Sequence, residues 1–495
     1  KAAMGSGAWH TAGGSSSIRL CLCVVLCTLL GAAVGHDHGR AGLDSIEVVA
    51  DGTTSFETDW IAYRETQREL LATTMRQRPT TRAWLDKYAA WNKEMIRRMN
   101  SDEIELSSFY DGPQGGSGKV AVGSDYFDDL ETFRGVVLFV PRGTGFANRA
   151  EGFMSAFLLA MSTGRVLFCD FGRAWPEIEI LEQSPILPDA YWHNFERKEE
   201  LLDLWIERTH GGVPVPEAPH QFESTHNVRP SVDFAPKTDL AVTFENDVFL
   251  NFTANVYSGV TMFYNPFMRE RMEHWFGERS LHNDSTHILA VWLLPMPVAA
   301  IREAGMFALQ HFGDKQTIGL HIRATESFAK DVPRELFFGC VESVLTTKSR
   351  RTGSYVVYLA TDNAQAQAEA QAHFGDHVVW YADVPAVNDA SKMNIRQRSD
   401  VMSRYVDLQL LSLCSDLVVT CSSSFSRMAV ARANVAPKFV TFESKLWCSS
   451  PLTQPHQCIA AASSKVCSNR YTHPLDNVNV PQSDREELLL ECMGD

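Results

Sequence analysis

Four stretches of this chain end a hydrophobic run with side chains able to hold an anion. The clearest is Thr317-Ile-Gly-Leu-His-Ile-Arg323, followed by Ala324-Thr-Glu326. The alternation of a strand puts His321 and Arg323 on one face. A guanidinium where a strand ends can fork two N–H bonds onto a phosphate. The plainer alternatives are a surface salt bridge between Arg323 and Glu326 and a hydrogen-bonded core place for His321. A second stretch, Tyr358-Leu-Ala-Thr-Asp362-Asn363, ends in a carboxylate and an amide ahead of an Ala/Gln-rich segment. Either residue can cap a helix, and Asp362 can also accept from a base or a ribose hydroxyl. A third, Thr420-Cys-Ser-Ser-Ser-Phe-Ser-Arg427, sets several hydroxyls and N–H groups at a helix start. That is a cradle for phosphate oxygens, or a cap that needs one serine. Asp407, on the segment before it, reads as a surface charge or a site carboxylate. The fourth stretch offers Arg142, Gly143 and Gly145, with Asn148 and Arg149 opening a helix. Glycines let backbone amides approach a ligand, although a tight turn needs no more than this.

These residues need elements that deliver them to one place. Gly135–Val140 and Arg165–Asp170 read as short buried strands around a helix over Asn148–Met161. From Thr317 the rhythm is regular. Strands are predicted at Thr317–Arg323, Tyr355–Ala360, His377–Tyr381, Asp416–Thr420 and Phe439–Phe442. Helices are predicted at Arg334–Thr347, Ala364–His373, Arg398–Cys414 and Ser424–Ala433. Strands alternating with helices of this length imply parallel sheets covered on both faces. In such sheets ligands sit beyond the carboxyl ends of the strands, where all four stretches fall. The stretch from about 175 to 300 is mixed, rich in aromatic residues, and gives no clear pattern.

The four stretches, in this order, resemble a known set of motifs. Ile318-Gly-Leu-His-Ile-Arg323, Tyr358-Leu-Ala-Thr-Asp362 and the run from Asp407 to Arg427 are similar to the three motifs of the α1,2-, α1,6- and protein O-fucosyltransferases. Gly145-Phe-Ala-Asn-Arg149, Gly164-Arg-Val-Leu-Phe-Cys-Asp170 and Phe263-Tyr-Asn-Pro-Phe267 resemble the plant xyloglucan fucosyltransferases. Ala324 stands where many α1,2- and α1,6-enzymes carry a second arginine, and Phe146-Ala147 replace a leucine and a glycine. The resemblance spans about 131 to 445. It implies a GT-B-type α/β fold, two Rossmann-like domains with parallel sheets facing an inter-domain cleft. It implies GDP-fucose as donor, a glycan or glycoprotein acceptor, inversion at the anomeric carbon, and no metal or other cofactor. By that analogy Arg323 holds the β-phosphate, Ser422 and Ser423 receive phosphate, and Asp362 and Asp407 hold guanine, ribose or motif-supporting contacts. His321 and Asn363 join the donor site, and Asn148 and Arg149 line the facing side. Glu326 is the candidate base, with Lys330 and Asp331 nearby.

The bulk properties agree. The chain has 495 residues, 45% of them hydrophobic and 21% charged, which suits two or three folded units. A net charge of -15 argues against a nucleic-acid partner. The run from Leu20 to Val34 is apolar with Arg19 before it and small residues after, so it reads as a signal peptide or short signal anchor. Either sends the chain to the secretory lumen, most simply the Golgi, as a single-pass membrane protein or a secreted one. Cys448, Cys458, Cys467 and Cys492 then read as disulfide partners. The sequons at Asn251 and Asn283 are compatible with glycosylation. Asp128-Asp129 precedes the first clear strand and makes a poor metal-binding loop. The expected organisation is a leader at 1–40, a stem and helical lead-in at 41–130, and an acceptor-side domain at 131–305. A donor-binding domain at 306–445 and a Cys-containing tail at 446–495 complete it. Another nucleotide-sugar transferase of the same fold, or an inactive carbohydrate-binding derivative, are the alternatives.

Overall fold

The computed structural model describes residues 79–109, 134–141, 145–171, 184–210, 249–254, 265–276, 282–313, 315–324, 332–348, 354–383, 398–420, 423–435 and 437–440, with short pieces at 227–228, 240, 244, 262 and 459–460. The first unit opens with helix α1 (Pro79–Asn100), from the stretch read as a lead-in. It then builds a sheet from β1 (Val136–Phe139), β2 (Val166–Cys169), β3 (Asn227–Val228) and β4 (Phe249–Phe252). The strands run parallel in the order β2-β1-β4-β3. Every residue of β1 and β2 is buried, as expected of strands covered on both faces. Helix α1 lies against β2. Asn92 accepts from the Leu167 N–H at 2.7 Å, and Tyr88 donates to the Arg165 carbonyl at 2.9 Å.

Helix α2 (Phe146–Thr163) carries the chain from β1 to β2. Every residue of it except Asn148 is buried, so it is packed on all sides rather than along one stripe. Gly164 stops it in a left-handed conformation, φ 64°. Gly152 lets α2 approach the chain beyond β4, since a Cβ there would lie 2.2 Å from the Ala254 carbonyl oxygen.

Among the described residues, helices α3 (Lys198–His210), α4 (Pro266–Phe276), α5 (His282–Trp292) and α6 (Val298–His311) follow. The second sheet then forms from β5 (Gln316–Ile322), β6 (Tyr355–Thr361), β7 (Val378–Val379), β8 (Asp416–Thr420), β9 (Lys438–Val440) and β10 (Ile459–Ala460). Its order is β10-β9-β8-β5-β6-β7, parallel except where β10 pairs with β9. Alternation sorts its side chains into two cores. Ile318, Leu320, Val357 and Leu359 pack with helices α7 (Arg334–Lys348) and α8 (Ala364–Phe374). Val356, Tyr358, Leu417 and Val419 face α6, α9 (Arg398–Leu413) and α10 (Ser424–Ala433). This second core runs without a break into that of the first sheet, from Leu85 to Ala433. Gly319 brings α9 onto β5, because a Cβ there would meet Leu417, Leu411 and Cys414 within 2.6–3.2 Å.

The α/β organisation with two parallel sheets is the one the sequence predicts. One expectation meets a different outcome. Asn251 of the first sequon sits inside β4 and is 7% exposed, so the folded chain cannot present it for glycosylation. The backbone of Asn283 lies within α5. The cysteines at 448, 458, 467 and 492 and the apolar run at 20–34 lie outside the described residues. Among the described residues, Cys169 and Cys414 are free and buried, and no helix is long and apolar enough to cross a membrane.

Candidate functional site

The carboxyl ends of β5, β6 and β8 come together because these strands are neighbours, with Ile322 opposite Thr361 and His321 opposite Val419. Short polar side chains tie the ends to one another. The Thr361 hydroxyl donates to the Ile322 carbonyl at 2.8 Å. The Thr420 hydroxyl accepts from the Arg323 N–H at 2.9 Å and donates to the His321 carbonyl at 3.1 Å. The last turn of β5 is therefore fixed on both sides before any side chain of the site is placed.

Arg323 leaves the sheet at this point, a third exposed, and its Nη1 lies 2.8 Å from Oδ2 of Asp362. Oδ1 of the same carboxylate accepts the Ala324 N–H at 2.9 Å. Asp362 thus holds both the guanidinium and the backbone that bears it. Asn363 takes the capping role at the start of α8, accepting from Ala366 N–H at 3.0 Å. The two residues divide the tasks that the sequence left open between them.

His321, two residues before Arg323, is buried. Its Nδ1 lies 2.6 Å from the Ser426 hydroxyl, and its ring lies 5.1 Å from that of Phe425. Burial pushes its pKa down to about 3. The nearby Asp362 carboxylate works against that shift and the Arg323 charge works with it. His321 is therefore a neutral ring that props up the first turn of α10 and does not titrate near pH 7. Ser423 caps α10, accepting from the Ser426 N–H at 3.5 Å. The arrangement brings a cation and a helix start together at adjoining strand ends, the two features that hold a phosphate.

Asp407 sits back from these strand ends. Asp407, on α9, accepts from the Tyr358 hydroxyl at 2.5 Å. Tyr358 precedes Thr361 by three residues, so this contact lies ~10 Å back along β6 from the strand end. Burial holds the Asp407 carboxyl up to about 7, against the lowering effect of the Tyr358 hydroxyl. Of the parts expected for Asp407, this position fits motif support. Asn148 and Arg149 lie in the first turn of α2, Arg149 buried. Glu326, Lys330, Asp331, Ser422, Arg142 and Gly143 lie outside the described residues. Among the described residues no three His, Cys, Asp or Glu side chains gather into a metal-binding group.

Several contributors lie within or near the predicted strand ends, but the sequence assigns them no part. Thr361, Thr420 and Ser426 are ordinary β-strand and helix-start residues, and nothing but their neighbours in space marks them. Glu151 and Arg427 form a buried ion pair between α2 and α10, with Nε–Oε1 at 3.2 Å and Nη2–Oε2 at 2.8 Å. Glu151 is the one acidic residue of α2, and that is the signal the sequence carries for it.

No family model and no curated protein matches this chain. Solved structures do. A mutant of Arabidopsis thaliana FUT1 in complex with GDP is 14% identical, with 72% of this chain and 78% of that one covered and a TM-score of 0.47. NodZ α-1,6-fucosyltransferase from Bradyrhizobium, co-crystallized with GDP, is 20% identical over 62% of this chain and 95% of its own, TM-score 0.35. POFUT1 in complex with GDP is 13% identical over 62% of this chain and 98% of its own, TM-score 0.34. Likeness at this level leaves the functional assignment to the residues of the chain itself.

Proposed function

We propose that this chain is an inverting fucosyltransferase that moves L-fucose from GDP-fucose to a glycan hydroxyl without a metal ion. The observation that carries the reading is Arg323, held by Asp362 at the end of β5 beside the start of α10. The ordered motifs around 318–323, 358–362 and 407–427 support the same donor through their resemblance to the fucosyltransferases.

The reaction breaks the bond between the anomeric carbon and the diphosphate. Negative charge grows on the β-phosphate while positive character grows on the sugar ring. A fixed guanidinium and helix-start amides stabilise that charge where it forms and need no rearrangement to do so. One such contact is worth ~3 kcal/mol, or about two orders of magnitude in rate. Neutral His321 supports α10 without adding a charge that would compete for the diphosphate. Asp362 keeps Arg323 from swinging into solvent. The acceptor hydroxyl attacks from the face opposite GDP, and this reading names Glu326 as the base that takes its proton. On the same reading, 306–445 binds the donor and 131–305 faces the acceptor. The chain works in the lumen of the secretory pathway, membrane-held or secreted.

The test is incubation of the purified protein with labelled GDP-fucose and a glycan array, with and without EDTA. Transfer of label at equal rates in both conditions is expected. A preference for GDP-mannose or a UDP-sugar would overturn the donor assignment. Glycan binding without hydrolysis or transfer would overturn the enzyme itself.

A further inference from the structure

We propose that the buried Glu151–Arg427 pair is a positioning joint for the donor site, setting the start of α10 against α2. The proposal rests on the donor reading above. Both side chains are almost wholly enclosed, at 0% and 4% exposure, and they meet side-on through two contacts. A buried pair of this kind is a poor source of stability. Desolvation takes back most of its Coulomb energy, and well-packed apolar residues of similar size often do as well. A planar fork on a planar carboxylate does fix relative orientation, which apolar contacts specify weakly.

What it orients is the site. The Arg427 N–H bonds the carbonyl of Ser423, the α10 cap, and the residue before Arg427 is Ser426, which holds His321. Arg427 lies three residues beyond Ser424 and Glu151 five beyond Phe146. At ~1.5 Å per residue, the pair sits ~5 Å and ~8 Å behind the two helix starts. The pair thus ties the opening turns of α2 and α10 to one another. Phe146 packs edge-on against Tyr405 of α9, ring centres 4.9 Å apart, which holds the α2 end. The far end of α10 is fixed separately. His287 meets the Ala431 carbonyl at 2.8 Å, and Arg432 donates to the carbonyls of Ala290 and Leu294 at 2.6 and 2.9 Å. Among the described residues, Glu151 is thus an ionic contact from the first unit to the donor end of α10.

Two variants of the full chain test this, E151L/R427M and R427K, each followed by thermal melting, GDP titration and hydrogen exchange. The first removes both charges together, so no ion is left buried alone. The second keeps the charge and loses the fork. For both, melting within a few degrees of the unaltered chain is expected, with faster exchange at the α10 amides of residues 424–427. The GDP dissociation constant should rise about tenfold for the double variant and about threefold for R427K. Unchanged exchange, or unchanged GDP affinity alongside faster exchange, would overturn the joint as a positioning device. If the double variant does not fold, R427K alone decides by the same two readouts. The unaltered chain and R323K run alongside. Failure of the unaltered chain to bind GDP would sink the donor reading, whereas exchange at 424–427 still reports on the joint.

Discussion

Asp362→Asn separates holding Arg323 from competing with its ligand. The carboxylate has two jobs in the structure: Oδ1 accepts the Ala324 N–H at 2.9 Å, and Oδ2 pairs with Arg323 Nη1 at 2.8 Å. Asparagine can keep the first through its carbonyl oxygen. Its NH2 group then faces the guanidinium, donor against donor. A hydrogen bond to a charged group is worth about 1.5–3 kcal/mol, and Arg323 is a third exposed, so about 1–2 kcal/mol remains after screening. That loss falls on the placement of the guanidinium. GDP affinity should therefore drop about tenfold, for 1.4 kcal/mol. The stability change should be of similar size, because Thr361 and Thr420 still tie down the end of β5. Isothermal titration with GDP, with urea unfolding of the same samples, measures both. GDP binding that is unchanged or tighter in D362N would refute the reasoning, since Asp362 would then be occupying the arginine.

Two further predictions concern the frame around the site. The Asp407 carboxyl is held up to about 7 by burial, so the folded chain keeps a proton there that the unfolded chain releases near pH 4. Its favourable contribution is full below that unfolded value and is lost as pH rises through about 7, at most ~1.4 kcal/mol per pH unit. Melting of Asp407→Asn should therefore gain on the unaltered chain between pH 5 and pH 8, and a constant gap across that window would contradict the assignment. Gly319→Ala should destabilise by about 1–3 kcal/mol, because its Cβ would sit 2.6 Å from Leu417 Cδ2 and 3.2 Å from Cys414 Cβ. Urea midpoints decide, and an unmoved midpoint would mean that α9 has room to retreat from β5.

The second sheet was legible residue by residue where runs of β-branched and apolar residues are bounded by helices. Thr317–Arg323 and Tyr355–Ala360 lie within a residue of β5 and β6, and Asp416–Thr420 is β8 itself. The first sheet was half legible. β4 is a four-residue Phe-Leu-Asn-Phe run whose polar Asn251 hides its burial, and β3 has two residues, too short for any period to register. Within the site, Arg323 was readable as a strand-end cation, but its partner was not. Spacing offers Glu326; the structure supplies Asp362, 39 positions on, because β5 and β6 are neighbours in register. Ser426 under His321 and Glu151 against Arg427 are likewise products of which elements adjoin, which no local pattern encodes. Asn363 and Ser423 show the converse. Helix caps are local chemistry: a cap is readable at Asp362-Asn363 and among the serines after Cys421, and the structure selects Asn363 and Ser423.

The most direct measurement is the rate of fucose transfer from GDP-fucose by Arg323→Lys, made in EDTA and compared with the unaltered chain at matched folded fraction. Lysine keeps the charge and loses the planar fork. The account predicts a turnover lower by about two orders of magnitude with the melting temperature little changed. Turnover near that of the unaltered chain would contradict it, because the departing diphosphate would then be stabilised by something other than this guanidinium.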